Sequence, residues 1–199
     1  MRIEICGGIG AGKTTLATLL INKGFNPVIE NFNLNPFWES FYLNPGKFIF
    51  ETEVTFLLQH YHEIKKLEKK HIPHACDFSF SQDLAYAKIG LLGNQLNIFK
   101  AVYDQIIGEL LQPSLIVCLR CDVEIMLERI HKRGRDEEAK IDKNFLTSLT
   151  DAIYMEMEEV KGFTKVIFID SDKNDYVNNF GIQQQIINEI ENSLGSLMN

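Results

Sequence analysis

The chain has 199 residues, 45% of them hydrophobic, with a formal net charge of −7. That length and apolar content suit one domain, residues 1–199, with a full core. An acidic chain has no global basic field for nucleic acid or an anionic membrane, so any phosphate must be captured locally.

Residues 2–6, Arg-Ile-Glu-Ile-Cys, read as a first buried strand. A strand beginning at residue 2 leaves no room for a leader peptide ahead of it. No apolar run approaches the length of a membrane span, so a soluble cytoplasmic protein is expected. Gly7-Gly8-Ile9-Gly10-Ala11-Gly12-Lys13-Thr14 follows, a complete G-x-x-x-x-G-K-[ST] phosphate-binding loop, with Thr15 beside it and a helical pattern after it. Glycines let successive backbone N–H groups curl round an anion, and the helix start adds its own unpaired N–H groups. Lys13 supplies charge to the outer phosphates and the Thr14 hydroxyl suits Mg²⁺. This pattern predicts binding of a nucleoside triphosphate, with ATP and Mg²⁺ as cofactors.

Four further strands are expected at 26–30, 72–76, 114–120 and 164–170, separated by helical patterns at 46–70, 95–111 and near the carboxyl end. The 46–70 helix ends in Lys65, Lys66, Lys69 and Lys70, read as a solvated, dipole-complementing terminus. Ile182, Ile186, Ile187, Ile190 and Leu194 share one face of the last helix. Alternating strands and helices predict an α/β fold of three layers, a P-loop NTPase arrangement with a five-stranded parallel sheet between helices. Cys118 and Cys121 have C-x-x-C spacing, but no second pair or paired histidines complete a metal site. Cys6, Cys76 and Cys118 each fall late in a strand, where cysteine packs as a small hydrophobe.

In such sheets ligands bind beyond the carboxyl ends of the strands. Glu30 follows the second strand and is a candidate general base. Asp77 follows the third and is placed to hold Mg²⁺, or to cap the next helix. After the fourth, residues 129–135 carry Arg129, Lys132, Arg133 and Arg135 with Gly134 between them. A short arginine-rich lid over a triphosphate, residues 129–138, answers the need for positive charge during phosphoryl transfer.

Taken together, these strings resemble the deoxynucleoside kinase family. The resemblance rests on Gly7–Thr14, Glu30, Asn35-Pro36 with Phe41-Tyr42, Asp77-Phe78-Ser79, and Arg129…Arg133-Gly-Arg135-Asp-Glu137-Glu138, and it runs over nearly the whole chain. It implies that Glu30 takes the proton of a 5′-hydroxyl and that Tyr42 with Glu138 holds the sugar 3′-hydroxyl. It makes Arg129, Arg133 and Arg135 the lid and active-site arginines, and puts Asp175 and Tyr176 in the loop that brackets the donor adenine. Asp83 matches an acidic position near the base. Family members are usually homodimers, so a homodimer is implied here.

Two positions depart from the family pattern. Phe78 stands where many members carry an arginine that orients the catalytic carboxylate, a role Arg135 or Lys13 could take over. Glu53 stands where many use glutamine to pair with the base. Two carboxylates, Glu53 and Asp83, at close range should raise one pKa, leaving a neutral acid that donates. The expected acceptors are then deoxyadenosine, deoxyguanosine or deoxycytidine over thymidine.

Three other functions compete with this reading. A nucleoside monophosphate kinase needs cations for its acceptor's phosphate, yet Lys47 is the only lysine or arginine between Phe25 and Tyr61. A GTPase switch needs Asn-Lys-x-Asp, and the nearest string, Lys173-Asn174-Asp175, has the wrong order. A nucleotide-binding switch or a catalytically impaired paralogue is the alternative that Phe78 favours.

Overall fold

A computed structural model describes residues 1–67 and 72–195. Five parallel strands form one sheet in the order β2-β3-β1-β4-β5: β1 (Arg2–Gly7), β2 (Asn26–Val28), β3 (His74–Cys76), β4 (Leu115–Arg120) and β5 (Val166–Asp170). The helices are α1 (Lys13–Leu19), α2 (Trp38–Leu43), α3 (Pro45–Leu67), α4 (Phe80–Gly90), α5 (Asn94–Glu109), α6 (Val123–Arg133), α7 (Lys143–Val160) and α8 (Phe180–Gly195).

Both faces of the sheet are covered, as near-continuous apolar strands require. Ile3, Ile5, Leu115, Val117 and Leu119 face one side and pack with Leu16 of α1 and Ile186, Ile187, Ile190 and Leu194 of α8. Cys6, Ile116 and Cys118 face the other side, against Ala85 of α4 and Leu149, Ile153 and Met157 of α7. A second cluster on that side joins α3, α4 and α5 through Leu57, Phe78, Phe80, Phe99 and Ile106. Each fully buried aliphatic side chain contributes roughly 1.5–3 kcal/mol. Cys6, Cys76 and Cys118 are fully buried packing residues, and the thiol of Cys6 lies 3.3 Å from the Met157 sulfur.

The expected strands are present, and the two containing proline are shorter than 26–30 and 72–76. Proline lacks the N–H that a ladder needs. Pro27 lies in β2 at the sheet edge, and Pro73 sits just outside β3 with its carbonyl accepting from Asn26 N. The chain leaves the sheet after Val28, freeing Ile29 and Glu30 for the site. Lys69 and Lys70, expected at the end of α3, lie outside the described residues.

β1 occupies the centre of the sheet, with β3 and β4 as neighbours. Its carboxyl end, where the phosphate loop begins, therefore lies beside the ends of β3 and β4 and within reach of the segment after β2.

Candidate active site

Gly12 closes the loop at the amino end of α1 with φ +100°, a left-handed conformation that glycine adopts without strain. Its surroundings exclude a side chain as well, since a Cβ there would sit 2.3 Å from the Tyr176 hydroxyl. Gly10 is similar, with φ +84° and a would-be Cβ 2.8 Å from the Met126 carbonyl. Gly7 N donates to the buried Gln82 side chain of α4 at 2.9 Å. Ala11 is fully buried in the core beneath. The Lys13 ammonium donates to the carbonyls of Gly7 and Gly8 at 2.9 and 3.2 Å. Burial lowers its pKa, and the carboxylates of Glu30 and Asp77 oppose that drop.

Asp77 ties the loop to the acceptor side. Its Oδ2 accepts from the Thr14 hydroxyl at 2.6 Å, and its Oδ1 from Glu30 N at 2.7 Å. Burial raises the Asp77 pKa against those two hydrogen bonds. Hydroxyl and carboxylate oxygens are the donors Mg²⁺ accepts, and that ion commonly takes only one or two protein ligands, the rest being water and phosphate. Among the described residues no cluster of three or more His, Cys, Asp or Glu that could hold a metal ion is present.

A cavity of about 200 Å³ opens beside the loop, between the ends of the strands, α2, α3, α4 and the turn after α6. Lys13, Thr14, Glu30, Tyr42, Glu53, Asp77, Asp83, Arg133, Arg135 and Glu138 all line it, as do Ile9 and Gly10. Aromatic side chains form one wall, with Trp38 packed on Phe32, Tyr42 and Phe56 at 5.1, 4.8 and 5.7 Å between ring centres.

Arg133 ends α6, Gly134 turns the chain with φ +67°, and Arg135 follows. Both arginines reach the buried Glu138, Arg133 through Nη2 and Arg135 through Nη1 at 3.1 Å. The Arg135 guanidinium also lies 4.1 Å over the Phe32 ring. Burial raises the Tyr42 pKa and the Glu138 charge adds to it, so the phenol stays protonated.

Arg129 is not brought to the cavity with them. Its guanidinium donates to Ser171 O at 2.8 Å and Gly10 O at 3.3 Å, bracing the loop against the segment after β5. Tyr176 is buried under the phosphate loop, with its hydroxyl 3.4 Å from the carbonyls of Ala11 and Gly12. Asp175 is exposed and accepts from the N–H groups of Val177 and Asn178. Thr15 lies on α1, outside the cavity lining.

Neither Arg135 nor Lys13 bonds Glu30. A residue that the sequence reading missed does so. His60 of α3 is 3.0 Å from Glu30 Oε1 through Nε2 and 2.9 Å from Asp83 Oδ2 through Nδ1. Burial raises the Glu30 pKa, but the His60 hydrogen bond and charge, with Lys13 and Arg135, outweigh it and hold the carboxyl below its ordinary value. Glu53 is different. Burial comes first, the charges of Asp83 and Glu30 add to it, and its pKa rises well above 4.5. The signal for His60 was its helical spacing: Thr52, Glu53, Phe56, Leu57, His60 and Ile64 are the buried residues of α3.

A profile of the family described as "Deoxynucleoside kinase" matches residues 3–195. The chain belongs to the deoxynucleoside kinase family. It is 32% identical over 185 residues to the deoxyguanosine kinase of Bacillus subtilis, covering 89% of each chain. It is 28% identical over 177 residues to the deoxyadenosine kinase of Dictyostelium discoideum, covering 84% of this chain and 71% of that one. The fold matches that of a deoxyadenosine kinase from M. mycoides solved with dCMP and dCDP, with TM-score 0.85 and 22% identity over 96% of this chain and all of the other. A second structure of that enzyme, with dATP bound, gives TM-score 0.80 at 21% identity. As a deoxynucleoside kinase, the protein phosphorylates a deoxynucleoside to its monophosphate. The monophosphate kinase, switch and impaired-paralogue readings find no support in these relatives.

Proposed function

We propose that this kinase uses ATP with Mg²⁺ to phosphorylate the 5′-hydroxyl of a deoxynucleoside whose base carries an exocyclic amino group, with purine deoxynucleosides preferred, in cytoplasmic nucleotide salvage. The observation that carries this reading is one cavity holding both halves of the chemistry: Lys13, Arg133 and Arg135 for the phosphates, Glu30 for the hydroxyl, and Glu53 with Asp83 deeper in.

Glu30 takes the proton of the 5′-hydroxyl as that oxygen bonds to the γ-phosphorus. The bond from that phosphorus to the β-phosphate oxygen breaks, and ADP leaves. Lys13, Arg133 and Arg135 neutralise the charge that spreads over the transferring group. Thr14 and Asp77 would hold Mg²⁺, whose chemistry is to neutralise the phosphate oxygens. Arg129 and Tyr176 keep the loop in shape, with Asp175 fixing the turn beside the adenine. Tyr42 and Glu138 hold the 3′-hydroxyl, and a sugar without that group leaves them unpaired, which is strong discrimination.

A protonated Glu53 offers one donor and one acceptor, the same set as a glutamine amide. That restores pairing with a base at the position where many relatives use glutamine. Ionised Asp83 accepts from an amino group and repels a carbonyl, disfavouring thymine. The names of the relatives, deoxyguanosine and deoxyadenosine kinases, support purines. A homodimer is inferred through α3 and α5, whose outer faces expose Leu58 and Ile98 along a shallow apolar groove with Val102.

Incubation with ATP, Mg²⁺ and each of the four deoxynucleosides, with monophosphate measured, tests the reading. Deoxyadenosine or deoxyguanosine should have the highest kcat/KM, and thymidine as best acceptor would sink it. Glu30→Gln should lower kcat by about 10²–10⁴-fold, the usual size of a general base contribution.

A further inference from the structure

His60 is almost fully buried, and both of its ring nitrogens face carboxylates. Its ring lies flat on Phe78, with centres 3.9 Å apart and planes within 3°. Phe56 lies 6.1 Å away with its plane tilted by 28°, and Phe80 meets the ring edge-on at 6.5 Å. Ionised carboxylates can only accept hydrogen bonds. A ring bonded to two of them must donate from both nitrogens, so it is an imidazolium.

We propose that His60 is the positioning residue of the catalytic carboxylate: an imidazolium clamped between Glu30 and Asp83, and seated on the face of Phe78, fixes Glu30 in its reactive orientation. This rests on Glu30 being the base, as proposed above. Holding Oε1 leaves Oε2 for the acceptor hydroxyl. Phe78 belongs to the arrangement, because an aromatic face attracts a cation laid against it and locks the ring plane. Position 78 lies at the end of a sheet strand and position 60 on a helix, so the cation reaches Glu30 from α3 instead of from the segment after β3. The same imidazolium ties Glu30 to Asp83, and so joins the reacting end of the acceptor pocket to its base-reading end.

The groups that act on this clamp come from several elements. Glu30 follows β2, Asp83 is on α4, and Glu53 is on α3 itself; Lys13, Asp77 and Arg135 act on Glu30, and Glu4 of β1 on Asp83. Burial disfavours the imidazolium, but the charges and hydrogen bonds of Asp83 and Glu30 prevail and push its pKa up to about 10.

The test uses the full-length enzyme with His60→Phe and His60→Ala. Nitrogen NMR of the histidine rings should show both His60 nitrogens protonated through neutral pH; a neutral His60 ring there overturns the proposal, whatever the enzyme phosphorylates. His60→Phe should lower kcat about 10- to 100-fold, the size of one lost charge-assisted hydrogen bond, with the KM for ATP held. Added imidazole should restore much of the rate of His60→Ala by refilling the space on Phe78, and should not stimulate the wild type. An unchanged kcat in His60→Phe refutes the clamp. If that variant does not fold, the wild-type NMR titration and the imidazole response of His60→Ala decide. A wild type inactive on all four deoxynucleosides instead defeats the proposed function, and the NMR result still judges the imidazolium.

Discussion

Replacing Glu53 by glutamine should leave turnover nearly intact at neutral pH and stabilise the fold increasingly as pH rises. Glu53 is 5% exposed, and burial with the nearby charges of Asp83 and Glu30 raises its pKa well above 4.5. The folded protein thus holds a proton that the unfolded chain releases. That linkage stabilises the fold fully below the unfolded pKa and is lost as pH climbs towards the folded one. Glutamine has the same shape and no proton to lose. Between the two pKa values the variant therefore gains on the wild type by about 1.4 kcal/mol per pH unit. Each pH unit in that interval corresponds to roughly 3–6 °C in Tm for a chain of this size. Thermal melts of both proteins from acid to mildly alkaline pH read the gap directly. A gap that stays constant above about pH 5 would mean that Glu53 titrates normally, and the neutral-acid account of base pairing would fall. Glu53→Ala provides the contrast: it removes the donor and acceptor, and should cost about 1–3 kcal/mol of transition-state binding, roughly 5- to 150-fold in kcat/KM.

Gly12→Ala should lower Tm by about 2–8 °C, from the roughly 1–2 kcal/mol cost of a left-handed non-glycine residue. It should also weaken ATP binding, because its Cβ would meet the Tyr176 hydroxyl; a second change, Tyr176→Phe, should recover part of the loss, and a Gly12→Ala protein with normal Tm and ATP affinity would contradict the contact. Asp77→Asn removes a carboxylate bonded to both Thr14 and Glu30 N. Titration with Mg²⁺ should show a higher concentration for half-maximal rate and kcat/KM lower by about 10- to 100-fold; an unchanged Mg²⁺ requirement would remove Asp77 from the metal site.

What the sequence showed of the site was whatever has local spacing. Gly7 to Thr14 carry their geometry in eight consecutive residues, and β4 announces itself as an unbroken apolar run. Glu30 was found from its place after a strand, and Tyr42, Glu53 and Asp83 by resemblance; the fold brings all four to one cavity. His60 escaped notice because its partners are 30 and 23 residues away, on a loop and another helix. No spacing rule connects them. Arg129 shows the converse: charge patterning grouped it with Arg133 and Arg135, but it lies one turn earlier on α6, where the carbonyls of Ser171 and Gly10 take up its guanidinium. β2 was overread at its far end, where Ile29 and Glu30 have left the sheet, and β3 at its near end, where Ile72 and Pro73 precede the ladder.

Gln82 and Asp83 are consecutive on α4, and their side chains take opposite assignments. One holds the amide of Gly7 at the start of the phosphate loop, and the other belongs to the base pocket through His60. On the proposed function, the two substrates would share a single turn of helix as a common wall. A shift of that turn by one bound molecule would then be felt by the other, and thermodynamic reciprocity would make the effect equal in both directions. Affinity for the phosphate donor would in that case depend on which base fills the pocket.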